Sequence, residues 1–167
     1  MDKYRSIFSS IRNVARKHKI PVIEVRDVNN EEHINYLKKR NIDIIISSQG
    51  QIFKKEILNL PKIACINRHT GLLPMYGGYM PLFWAMYNKE KKFGVSVHYM
   101  VEKVDGGDIL DQEAIPINIS NSLFKNYVLA FDKSIAVTLK ALQNLAERKI
   151  VKKFYSNDKE YFSFPSL

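Results

Sequence analysis

An α/β domain with a mostly parallel sheet and one antiparallel strand pair is predicted by three observations on this sequence. Helical and strand-like patterns alternate from residue 5 to residue 67, as right-handed βαβ units require. The short apolar runs "IDIII" and "KIACI" end in small or polar residues, the pattern of parallel strands covered on both faces. Two longer strand-like runs, 93–101 and 108–117, are joined by "EKVDGGD", whose paired glycines permit a tight turn between neighbours.

Each element has its own signal. Ile7, Phe8, Ile11, Val14 and Ala15 fall on one stripe at helical spacing, which predicts a helix over 5–18. "PVIEV" (21–25) predicts a short buried strand introduced by proline. Residues 30–41 predict a helix capped by Asn29 or Asn30, with glutamates in its first turn. "IDIIISS" (42–48) is the next buried strand, "KKEILNL" a short helix and "KIACIN" another buried strand. After the turn-rich "HTGLLPMYGGYMP" comes a helix, "PLFWAMYNKE", in which Trp84 reads as core packing. In "VSVHYM", alternation sends Val95, Val97 and Tyr99 to one face and Ser96, His98 and Met100 to the other. Leu123, Tyr127, Phe131, Ile135, Leu139 and Leu142 recur at near-helical intervals, predicting one long amphipathic helix over 120–149. The division expected is a core over 1–149 and an extended aromatic tail over 150–167.

Composition narrows the function classes. A chain of 167 residues with 46% apolar content is one domain with a real core. It has no apolar run of about eighteen residues, and its charged N-terminus shows no signal-peptide core, so a cytoplasmic location and no membrane partner are expected. The single cysteine, Cys65, allows no internal disulfide and no metal cluster, and reads as a small buried hydrophobe. The net charge of +9 attracts anions such as phosphorylated metabolites, nucleotides or RNA, unless it reflects only solvated helix faces. No alternation of aromatic and basic residues marks a single-strand stacking platform.

The chemistry-bearing residues cluster at strand ends, where α/β sheets place their sites. Asn67 and His69 follow "KIACI", and "SSQGQI" follows "IDIII". Asparagine offers neutral donors and histidine one whose charge is adjustable near neutral pH. Together they could hold a developing oxyanion, where one good donor supplies about 3 kcal/mol. Asp105 beside a histidine would raise its pKa and keep it protonated, or would accept a proton through water. No nucleophile elbow, H-E-x-x-H or Walker loop is present. The set therefore fits acyl or formyl transfer without a covalent enzyme intermediate better than hydrolysis by an enzyme nucleophile. The plain alternative is polar punctuation in a globular domain, with His98 a hydrogen-bonded structural residue.

"INRHTGLLPMYGGYMPLFWAM" and "GVSVHYMVEKVDGGDIL" resemble the core of the folate-dependent formyltransferases. That family spans methionyl-tRNA formyltransferase, glycinamide ribonucleotide transformylase and the sugar N-formyltransferases. Its marks are an N-x-H-x-S-L-L-P run, a G-V-T/S-V-H strand and an M-x-x-x-x-D-x-G loop, and the similarity covers about residues 20–145. The resemblance implies a Rossmann-like three-layer sandwich of the formyltransferase type, N-terminally incomplete. The family's first strand, loop and helix have no counterpart, and its first strand would lie between those matching "PVIEV" and "IDIII". It also implies roles. Asn67 would polarise the formyl oxygen of 10-formyltetrahydrofolate, His69 would stabilise the oxyanion and help proton transfer, and Asp105 would tune His69 and take the amine proton through water. The pterin would sit between Gln51, Ile52 and Phe53 and the loop of Val101, Glu102, Lys103, Val104 and Asp105. Gly71, Leu72, Leu73 and Pro74 would form the neighbouring wall, and His98 would line the cleft.

Two departures touch substrate contacts: Gly71 stands where the family has serine, and Gly77–Gly78 where it has Arg-Gly. The resemblance implies formyl transfer to a primary amine, an amino sugar on a nucleotide or methionyl-tRNA. "YFSFPS" is similar to the tail of sugar-modifying members. A formyltetrahydrofolate hydrolase, a truncated or non-catalytic folate-binding homologue and an RNA-binding module remain as competing readings, and homo-oligomerisation is open.

Overall fold

A computed structural model describes residues 10–48, 50–153 and 160–165. Ser10 opens α1 (Ile11–Lys17) by accepting from the Asn13 N–H, and Asn30 opens α2 (Glu31–Lys38) by accepting from the Glu32 N–H. Each side chain satisfies an amide that the first helical turn leaves unpaired. There follow β1 (Ile44–Ser47), α3 (Lys55–Leu58), β2 (Ala64–His69), the two-residue β3 (Gly77–Gly78) and α4 (Pro81–Tyr87). Then come β4 (Lys92–Tyr99), β5 (Ile109–Pro116), α5 (Leu123–Ala146) and β6 (Tyr161–Phe162).

The main sheet runs β1-β2-β4-β5. β1 and β2 are parallel, with Ser47 opposite Asn67. β4 is antiparallel to both β2 and β5, and places His98 opposite Asn67 and Ser96 opposite His69. β3 and β6 form a separate parallel pair.

Two layers of helix cover the sheet. On one face Ile66, Val95, Val97 and Leu110 meet Leu82 and Ala85 of α4 and Ala130, Val137 and Ala141 of α5. Fully burying a side chain such as Ile66 or Val97 contributes about 1.5–3 kcal/mol. On the other face the Cys65 thiol donates to the Ile57 carbonyl of α3 at 3.4 Å, and burial pushes that thiol up to about 11. Cys65 is thus the buried small residue expected. The alternation read in "VSVHYM" holds: Val95 and Val97 face α5, leaving Ser96 and His98 on the opposite face.

Three expectations about single elements need correction. Residues 21–25 form neither a strand nor buried structure: Val22 and Ile23 are about half exposed. No described strand offers them a ladder, so an apolar run alone did not suffice. The described sheet consequently holds one parallel and two antiparallel pairings. β1 is not covered along its whole length, since Ile46 on that edge strand is 49% exposed. In the first helix Ile7 and Phe8 lie outside the described residues, and of the rest of the stripe only Ala15 is buried.

The long helix buries only part of the expected stripe: Leu123, Tyr127 and Leu142 pack against the core. Phe131, Ile135 and Leu139 are exposed, while Asn126, Ala130, Ser134, Val137, Ala141 and Asn144 are buried. Small residues let α5 lie close on β4 and β5. Its buried asparagines are satisfied by backbone, Asn144 donating to the Leu110 carbonyl at 2.7 Å and Asn126 to the Asn118 carbonyl at 3.1 Å. No described helix is long and apolar enough to cross a membrane.

Candidate active site

Asn67 and His69 lie inside β2, not in a turn after it, because the ladder continues to His69. Residues two apart on a strand share a face. His98, opposite Asn67 on β4, joins that face. The segment 100–108 then returns across it and delivers Asp105, whose backbone is left-handed (φ 48°). Aspartate tolerates that region better than most residues, and strained backbone held by its surroundings is a feature of functional sites.

Four side chains converge. Asn67 Nδ2 is 3.5 Å from Asp105 Oδ1 and 3.4 Å from His98 Nε2. His98 Nε2 stands 3.5 Å from Asp105 Oδ1, and His69 Nδ1 stands 3.8 Å from Asp105 Oδ2. The firm contacts come from the backbone. The Gly78 N–H donates to Asp105 Oδ2 at 2.8 Å. His69 Nε2 donates to the Tyr76 carbonyl at 2.8 Å, and His98 Nδ1 to the Tyr99 carbonyl at 2.7 Å. A carbonyl can only accept, so Nε2 of His69 and Nδ1 of His98 each carry a proton. His69 therefore turns Nδ1, its basic nitrogen when neutral, toward Asp105.

Electrostatics follow from burial. Burial lowers the His69 pKa, opposed by the Asp105 charge and the Tyr76 carbonyl. Burial would raise Asp105, but the His98 hydrogen bond, the neighbouring His69 and the Gly78 amide outweigh it and hold the carboxyl well below its usual range. The site thus pairs an ionised carboxylate with a histidine kept neutral near pH 7. The side-chain contacts are long enough to exchange for contacts with a bound molecule.

These groups floor a cleft of about 170 Å³ whose lining includes Gln51, Ile52, Phe53, Val101, Glu102 and Val104. Asn67, His69, His98 and Asp105 line it too. Gly71, Leu72, Leu73 and Pro74 do not form a wall of it, contrary to expectation. Ser96 Oγ donates to the Gly71 carbonyl at 2.6 Å and accepts from the Leu73 N–H at 3.1 Å, while Gln112 Nε2 donates to the Leu73 carbonyl at 2.8 Å. The segment is hooked to the sheet behind the cleft, with Leu73 buried. Lys103 is not on the lining either, its stem lying against Gly106.

The first departure from the family pattern has a local reason, and so does the glycine that the pattern shares at 78. A Cβ at Gly71 would come within 2.7 Å of His69 Nε2 and 2.8 Å of the Tyr76 carbonyl. At Gly78, with φ 94°, it would meet the Phe162 carbonyl at 2.2 Å. Residues missed by sequence reasoning are Ser47, Tyr79 and Tyr161, all on the lining. Ser47 carried a signal, a polar residue closing an apolar strand; Tyr161 arrives from the far end of the chain and carried none.

The formyl transferase family model matches residues 5–134. The chain is 40% identical over 147 residues to the bifunctional polymyxin resistance protein ArnA of Wigglesworthia glossinidia brevipalpis, covering 86% of this chain and 22% of that protein. It is 35% identical over 144 residues to methionyl-tRNA formyltransferase of Clostridium acetobutylicum, covering 85% and 46%. The chain thus spans less than half the length of these two relatives. Among solved structures it resembles a sugar N-formyltransferase from Shewanella sp FDAARGOS_354, with a TM-score of 0.72, 24% identity and coverage of 93% of this chain and 61% of that one. That likeness shows the Rossmann-like fold.

Proposed function

Because this chain belongs to the formyl transferase family, we propose that its cleft transfers a formyl group from 10-formyltetrahydrofolate to a primary amine. The observation that carries the reading is the convergence of Asn67, His69 and Asp105 on one cleft floor. The folate would supply the one-carbon unit at the acyl level of oxidation. Its flat head suits the apolar walls of Ile52, Phe53, Val101 and Val104, and main-chain groups of 50–53 and 101–105 would read its ring edges.

The residues divide the work. Asn67 Nδ2 meets the oxygen on which negative charge develops as the amine attacks. His69 Nδ1 takes the proton that the amine sheds, and the imidazolium so formed lies between the Tyr76 carbonyl and the Asp105 carboxylate. Returned to the departing folate nitrogen, that proton leaves the enzyme unchanged. Asp105, held by the Gly78 N–H, aims His69 and stabilises its charged form. An amino sugar on a nucleotide is the acceptor we favour, with methionyl-tRNA second. The net charge of +9 suits either anion.

Fluorescence titration with 5-formyltetrahydrofolate, a non-reactive stand-in for the donor, tests the reading through the single tryptophan. Saturable binding is expected, weakened about tenfold by Asn67→Ala, the effect of one lost hydrogen bond. A screen of amines would then seek the acceptor. If the folded protein does not bind the ligand, the motifs serve as scaffold only.

A further inference from the structure

Ser47 closes β1 with a hydroxyl that is 4% exposed and has no hydrogen-bond partner among the described residues. Buried hydroxyls are almost always paired, so an orphan calls for an explanation. Its neighbour Ser48 shows the usual case, its hydroxyl accepting from Arg68 Nε at 3.1 Å. Ser47 instead lies on the cleft lining. Its register partner is Asn67, one strand spacing away, and side chains opposite each other in a parallel pair share a face. The two residues are therefore neighbours on one face, and both line the cleft.

A carbonyl oxygen has two lone pairs and accepts two hydrogen bonds. We infer that Ser47 is a second donor to the formyl oxygen of the one-carbon donor, completing with Asn67 Nδ2 a two-pronged cradle for that atom. The inference rests on the folate reading above and extends it to a residue with no role in that reading. Ser47 makes no described hydrogen bond within the protein, so binding costs it none. As charge gathers on the oxygen during attack, both prongs strengthen together.

The test is Ser47→Ala, read by titration with two folates and by thermal unfolding. 5-formyltetrahydrofolate carries the carbonyl, and 5-methyltetrahydrofolate replaces it with a methyl. The variant is expected to keep or raise Tm, since it deletes an unpaired buried hydroxyl. It should bind the formyl compound about tenfold more weakly and the methyl compound as wild type does. Ser47→Cys, which keeps the shape and weakens the donor, should show the same selective loss. Unchanged binding of both ligands by Ser47→Ala, or equal weakening of both, would overturn the inference while leaving the folate reading standing. Failure of the wild-type protein to bind either ligand would overturn both.

Discussion

At His69 two effects oppose each other, and their balance sets which proton chemistry the site can do. Burial drives the ring neutral while Asp105 favours its charged form. A proton acceptor must be neutral to act, so transfer should rise with pH through the His69 pKa, below the ordinary histidine value of about 6.5. Asp105→Asn removes the opposing charge. The acidic limb of kcat/KM should then move to lower pH, with kcat falling about a hundredfold as His69 loses its orienting partner. A limb that stays in place would mean Asp105 does not act on His69. Residues of this kind were legible because their spacing is: Asn67, His69 and Asp105 could be named from the chain alone. What spacing could not reveal is why Gly71 must lack a side chain, which needs the His69 ring and the Tyr76 carbonyl placed against it.

Among the elements, β6 shows how a distant segment reaches the site. Tyr161 and Phe162 pair with Gly77 and Gly78, and Phe162 stacks 5.2 Å from both the Tyr76 and Trp84 rings. The Gly78 amide fixed in this way is the one that holds Asp105. Phe162→Ala should cost about 2 kcal/mol in urea unfolding, less than a fully buried ring, and weaken 5-formyltetrahydrofolate several-fold. Lost stability with unchanged affinity would mean β3 holds Asp105 unaided. The central strands, α4 and the cap of α2 were legible because local pattern and burial agree there. Residues 21–25 misled because an apolar run specifies a strand only when a neighbour supplies hydrogen bonds. α5 misled in part: Leu123, Tyr127 and Leu142 do pack against the core, but Phe131, Ile135 and Leu139 face out, and the closest approach belongs to Ala130, Ser134 and Ala141.

For the molecule as a whole, the two buried titrating groups predict a staged loss of stability in acid. The unfolded chain protonates His69 near pH 6.5, whereas the folded chain resists, so stability should fall as pH drops below that value. Asp105 has the depressed carboxyl pKa. Its contribution is complete above the ordinary value of about 4 and is lost as pH falls from there through the folded one. Tm measured from pH 8 to pH 3 should decline in both windows, and His69→Gln should flatten the first. A wild-type Tm level from pH 7 to pH 5 would contradict a neutral buried His69. The position of Asn67 and His69 within β2, Asn67 bonded to a strand on each side and His69 to β4, has a longer consequence. The reacting pair is set in rigid scaffold, whereas segments 50–53 and 101–104, which face whatever enters, belong to connections that tolerate changes of sequence. Descendants of this architecture can be retargeted to new cargo by rewriting the connections, with the reactive register inherited intact.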